Sequence, residues 1–274
     1  MGSKTMKYIM VYSVLIIVCL IGIRGRRDNY RDRYNPAPDV NAAEVYATLM
    51  ESCVAHWPMD DNEPNTTVLD VVGGYNGIAN KNTEDLYVTG TIDGAFEFNG
   101  ESDFIDTNEA FKSTFANSFT INLWCKLNDG QPSAANYFFG LQDLVGNSVY
   151  FRCDTTGKLY SIYGAVGETA VVAGTGTAIF EDGLSEWTML TVKINKISQD
   201  VASSFIYADG NLVKSNENAN IALSSYNGEL QLYIGALNIG FGSAGHLSGS
   251  LDNVMLFNKA LSQTEITVLY EKEY

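Results

Sequence analysis

The sequence predicts an all-β chain folded as a two-sheet antiparallel sandwich. Three observations carry that prediction. Asp-Gly and Asn-Gly pairs recur at 93–94, 99–100, 129–130, 182–183, 209–210 and 227–228, and such pairs supply the positive φ that tight hairpins need. The runs between them are short and apolar or alternating. The clearest is 119–127, where Phe119, Ile121, Leu123, Cys125 and Leu127 face one way and Thr120, Asn122, Trp124 and Lys126 the other. Nowhere do helical and strand-like runs alternate in the βαβ pattern of a parallel sheet.

The first element is a run without charge, residues 8–23. As a helix it would span roughly 24 Å at about 1.5 Å per residue, slightly short of a ~30 Å hydrocarbon core. Lys4 and Lys7 precede it and an arginine cluster follows. A cleaved signal peptide needs small residues at −3 and −1 before the cut, and the stretch from Cys19 to Arg24 offers no good A-x-A site; Val18 also stands where a lipobox needs a small residue. The reading is therefore an N-terminal hydrophobic helix, residues 1–23, retained as a signal-anchor or transmembrane segment. Its orientation stays open. Signal-anchor logic puts the body outside the cytoplasm, whereas the arginines after the run favour the reverse. A membrane within a virus particle accommodates either.

Residues 24–45, with Pro36 and Pro38, read as a polar linker, and 40–50 as a short helix with Ala43, Tyr46, Leu49 and Met50 on one face. The sandwich is expected to begin near Cys53 and, with that helix, to fill 46–274. Further strands are read around Val54, Phe96, Ile105, Leu190, Tyr207 and Leu232, with a hairpin turning at Asp209-Gly210. Leu251, Val254, Leu256 and Phe257 mark a buried last strand. Ser262 and Glu265 then have capping-box spacing ahead of a helix whose apolar face is Ile266, Leu269 and Tyr270.

Charge limits the partners. The net charge is −15, but residues 1–33 carry seven Lys/Arg against two Asp, leaving −20 on the rest. A body this acidic repels nucleic acid and anionic lipid, while the basic end suits a membrane surface. Beyond Cys19 stand Cys53, Cys125 and Cys153, too few for a disulfide framework and best read as buried thiols. With two histidines and no CxxC, a zinc site is not expected.

One stretch resembles a known family. Gly249, Leu251, Asp252, Val254, Leu256 and Phe257, followed by Asn258, Ala260, Leu261, Ser262, Glu265 and Ile266, match the closing strand and helix of laminin-G-like, concanavalin A-like jelly-roll domains. Earlier landmarks agree: Trp57 before Asp60, the Asp70–Gly77 loop, and Gly94 through Asp103-Phe104-Ile105. The resemblance covers about 53–271 and is thinnest over 131–180. It implies a concanavalin A-like jelly roll, and a family spanning lectins, adhesion modules, glycanase accessory domains and viral surface proteins.

Three chemistries follow for testing. Glucanases of the fold use E-x-D-x-x-E; here Glu101, Asp103 and Asp106 occupy that spacing, but with Asp in third place and at a structural turn, so no enzyme is expected. No nucleophile elbow, phosphate loop or dinucleotide fingerprint is present. The resemblance implies a calcium site joining the early loop to the final strand, which places Asp70, Asn76 and Asp252 as ligands; hydrogen-bonded turn carboxylates are the alternative. The aromatic cluster of the middle region, with Tyr137, Tyr160 and Tyr163, together with the off-face Trp124, offers a glycan surface; core filling is the alternative. The expected function is a non-catalytic, membrane-anchored module, single-pass and extracytoplasmic or on a virus particle, binding carbohydrate or a protein partner. The runner-up is a structural component of a viral particle or cell envelope.

Overall fold

The computed structural model describes residues 42–164, 171–198, 201–220 and 226–273. The apolar run 8–23 and the linker 24–41 lie outside them. Among the described residues no helix is long and apolar enough to cross a membrane. The chain divides into a unit at 1–44 and a unit at 45–274, and the second holds the strands.

Two antiparallel sheets form the body, as the turn pairs and alternation predict. The first, counted over the described residues, has eight strands: β14 (Asn211–Asn220), β13 (Val201–Ala208), β12 (Thr188–Ser198), β7 (Phe119–Leu127), β18 (Ser248–Phe257), β5 (Gly94–Asn99) and β4 (Tyr87–Thr89) in that order, with β1 (Cys53–Trp57) also on β18. The second runs β11 (Val171–Gly174), β10 (Leu159–Gly164), β9 (Ser148–Cys153), β8 (Asn136–Gln142), β15 (Tyr233–Ile234), β6 (Ile105–Asp106), β3 (Gly77–Ala79) and β2 (Thr67–Val68). A small hairpin of β16 (Leu237–Asn238) and β17 (Ser243–Ala244) joins the β8 edge. The strand expected around Leu232 is only two residues long, because Gly235 at φ 79° turns the chain back there.

The alternation of β7 is realised on both faces. Phe119, Ile121, Leu123, Cys125 and Leu127 enter the core between the sheets, beside Phe96, Phe98, Phe138, Phe151 and Leu251. Each such aliphatic or aromatic side chain contributes about 1.5–3 kcal/mol by leaving water. The opposite face of the first sheet is not open. Trp124, Met189, Tyr207, Met255 and Phe257 form a second apolar layer there, closed by helix α1 (Ala42–Met50) through Leu49, by Leu261, and by the C-terminal helix α3 (Gln263–Glu273) through Ile266 and Leu269. Ala43, expected on the buried face of α1, is exposed, and Val45 packs instead.

Local signals behave as chemistry requires. Ser262 N donates to Glu265 Oε2 at 2.8 Å while Glu265 N donates to Ser262 Oγ at 3.3 Å, the reciprocal capping box. Asp209 and Gly210 both adopt positive φ and turn β13 into β14. A four-residue helix α2 (Lys112–Phe115) adds Phe115 to the core. The second sheet's outer face has no helix against it among the described residues, and its half-buried side chains stand out.

Candidate functional site

The outer face of the second sheet is built from its alternation. Along β9, Val149, Phe151 and Cys153 point inward, so Tyr150 and Arg152 point out. Along β10, Leu159, Ser161 and Tyr163 are inward, so Tyr160 and Ile162 point out. A register shift in β8 leaves Tyr137 outside and both Phe138 and Phe139 buried. Antiparallel pairing then aligns one row: Tyr137 opposite Arg152, Arg152 opposite Tyr160, Tyr160 opposite Gly174.

The row makes a layered cluster. The Arg152 guanidinium lies 5.0 Å from the Tyr160 ring centroid and 5.9 Å from that of Tyr137, close enough for cation–π attraction. Tyr137 and Tyr150 rings pack at 5.4 Å. Burial raises the Tyr150 hydroxyl's pKa, with Tyr137 adding to it against Arg152. Glycines make room at both ends. A Cβ on Gly174 would sit 2.6 Å from the Tyr160 ring, and one on Gly245 would sit 2.3 Å from the Tyr137 ring. Leu237, on the small hairpin, lies over Gly140 and borders the face on one side. The result is an aromatic floor with one cation, about 10 Å across at a strand spacing of about 4.8 Å.

Of the expected ligand residues, the structure joins Tyr137 and Tyr160 and removes the other two. Trp124 does face away from the core between the sheets, but the α3 ring of Tyr270 covers it at 5.8 Å, and it is fully buried. Tyr163 is an inward residue of β10: it stacks on Tyr226 at 5.8 Å and donates its hydroxyl to the Phe115 carbonyl. Both are core, because strand parity and helix cover decide exposure rather than residue type. Arg152 escapes a search for aromatics. It is, however, the sole arginine beyond residue 33, at an outward position of an alternating strand.

Asp70, Asn76 and Asp252 do not fit a shared calcium ion. Asp70 Oδ1 accepts N–H from His56, Val72 and Gly73, and its Oδ2 from Gly73 and Tyr75, at 2.8–3.2 Å. Those bonds occupy the carboxylate's acceptor sites. Asn76 Oδ1 accepts from Asp70 N. Asp252 Oδ2 takes Thr91 N, Thr91 Oγ1 and Ile92 N, while Oδ1 takes Asn253 Nδ2. Among the described residues no group of three or more His, Cys, Asp or Glu could hold a metal ion. The join between early loop and final strand nevertheless exists. His56 N binds Asp70, His56 Nε2 meets Asn253 Oδ1 at 2.9 Å, and Asn253 binds Asp252.

The glucanase-like spacing is structural. Asp103 is buried, accepts from Asn99 N and pairs with Lys81 at 2.9 Å. Asp106 accepts from Asn108 N, and Glu101 is exposed.

Comparison with known proteins decides the family. The model of the concanavalin A-like lectin/glucanases superfamily matches residues 99–267. The chain belongs to this superfamily. No curated protein matches it. Among solved structures, a receptor binding domain superposes with a TM-score of 0.60 at 14% identity, covering 84% of this chain and 53% of that one. The binding domain of botulinum neurotoxin DC in complex with SialylT gives 0.57 at 13% identity, covering 82% and 52%. The same domain with rat synaptotagmin II gives 0.59 at 15% identity, covering 82% and 52%. This superfamily member therefore spans about half the length of those binding domains and shares their fold.

Proposed function

We propose that this superfamily member is a non-catalytic binding module that takes carbohydrate on the outer face of its second sheet. One observation carries the reading. Tyr137, Arg152 and Tyr160 stand in register on three adjacent strands, half-buried and with no helix over them among the described residues. Sugar rings present C–H faces to aromatic rings and hydroxyls to polar neighbours, and such sites combine apolar walls with few polar groups. The fold's solved binding domains include one with SialylT and one with synaptotagmin II, so a protein ligand is the alternative occupant. The reading includes a tether: residues 8–23 hold the domain to a membrane, outside the cytoplasm or on a virus particle.

The test is a glycan array with the full chain in detergent, read beside thermal melting. Tyr160→Ala is expected to abolish array signals while leaving the melting temperature near that of the parent. A blank array for the parent overturns the carbohydrate reading and transfers the weight to a structural role in an envelope or particle. Deleting 8–23 is expected to release the protein from membranes; retention there defeats the tether.

A further inference from the structure

We propose that the platform selects a glycan whose bound sugar carries a single carboxylate, gripped by Arg152 between Tyr137 and Tyr160. The inference rests on the carbohydrate reading and narrows it to a ligand class.

A guanidinium has N–H donors in one plane and no acceptor. Among the described residues the ion pairs are Lys81–Asp103, Lys112–Glu229 and Lys259–Glu265, and Arg152 is in none. Its Nε is shut off from solvent yet has no hydrogen-bond partner. The nearest carboxylate in sequence, Asp154 just beyond β9, is committed to Thr156 N, Thr156 Oγ1 and Lys158 N. The tyrosine rings attract the cation through their π faces. The two terminal amino groups of the guanidinium, which no hydrogen bond among the described residues uses, thus remain for a ligand, while the enclosed Nε stays out of its reach.

The shape of the donor set chooses the acceptor. A planar fork held by flanking rings presents two parallel N–H groups, which match a carboxylate bidentately. The flanking rings offer a sugar's C–H faces the surface beside it, so the charge and the ring contact fall on one residue of the glycan. Long-range charge excludes the denser polyanions. The chain beyond residue 33 carries −20, and a sulfated polymer would bring many like charges against that field, whereas one carboxylate meets it once.

The experiment uses the full chain and matched oligosaccharides: a neutral oligosaccharide, the same capped with one sialic acid or uronic acid, and each capped form with its carboxyl reduced to the alcohol. Heparin is included as a dense polyanion. The capped forms are expected to bind at least about tenfold tighter than their reduced counterparts, in line with a charge-assisted bidentate pair. Arg152→Gln is expected to erase that difference and Arg152→Lys to restore it only in part, with heparin weak throughout. Equal binding of capped and reduced forms overturns the carboxylate inference while leaving the carbohydrate reading intact. No binding of either overturns both. Because the parent's preference is measured without any variant, a substitution that fails to fold does not blunt the test.

Discussion

The indole of Trp124 lies against the phenol ring of Tyr270, 5.8 Å between centroids and 24° from parallel. A strand residue pointing away from the main core is thereby turned into core by the last helix. Trp124→Ala is expected to cost about 3–5 kcal/mol, read as a lower midpoint in urea, while glycan binding by the folded fraction stays unchanged. Loss of binding at unchanged stability would return Trp124 to the ligand surface.

Gly174 lies under the Tyr160 ring. Adding a methyl group there puts a carbon 2.6 Å from the ring, and the ring is the mobile partner. Gly174→Ala is expected to weaken glycan binding clearly while shifting the melting temperature by no more than about 2 °C, about 0.5–1 kcal/mol at this size. Unaltered binding would show that Tyr160 takes no part in the site.

Acid is expected to destabilise the domain through His56. Burial lowers its pKa below 6.5, outweighing Asn253, Asp70 and Asp60, which act to raise it. Below 6.5 the unfolded chain takes up a proton that the folded chain resists, so stability falls as pH drops. His246 is lowered by burial as well and adds to the slope. Glu265 acts later: burial raises it, but Lys259 and Ser262 together hold it below the usual carboxylate range, so its contribution is lost only as pH falls through that lowered value. Thermal melts from pH 7 to pH 5 should show the decline, and His56→Gln should flatten it.

Asp70 organises its loop by accepting five N–H contacts. Asp70→Ala is expected to destabilise by about 1–3 kcal/mol, the cost of stranded donors. Millimolar calcium or EDTA should leave the parent's melting temperature unmoved. A rise with calcium that Asp252→Ala removes would bring the cation back.

The core thiols should be inert. Burial pushes Cys153 up to about 12, with Asp154 adding to it, and raises Cys125 well above its ordinary value. Both are expected to resist alkylation at pH 8 in the native state and to react at once in denaturant. Rapid native labelling would show that the sandwich opens at β7 or β9.

By itself, the sequence determined the sandwich, the strand parity of β7, the Asp209-Gly210 turn and the Ser262–Glu265 cap. Each of these is local: a period of two, a positive φ or a three-residue spacing acts between near neighbours in the chain. Tyr137 and Tyr160 stand out in the sequence as members of an aromatic cluster, and Asp70 and Asp252 as carboxylates read first as calcium ligands, with hydrogen-bonded turn carboxylates as the alternative. Tertiary structure alone decided the rest. Trp124 and Tyr163 carry the same aromatic chemistry as Tyr160, and only the covering helix and the inward parity of β10 separate them from it. Arg152 became part of a site only when three strands aligned in register, because the pairing register, which the sequence does not state, sets both tyrosines opposite it. The link between Asp70 and Asp252 runs through His56 and Asn253, and only folding brings Thr91 and Ile92 to the Asp252 carboxylate from about 160 residues away.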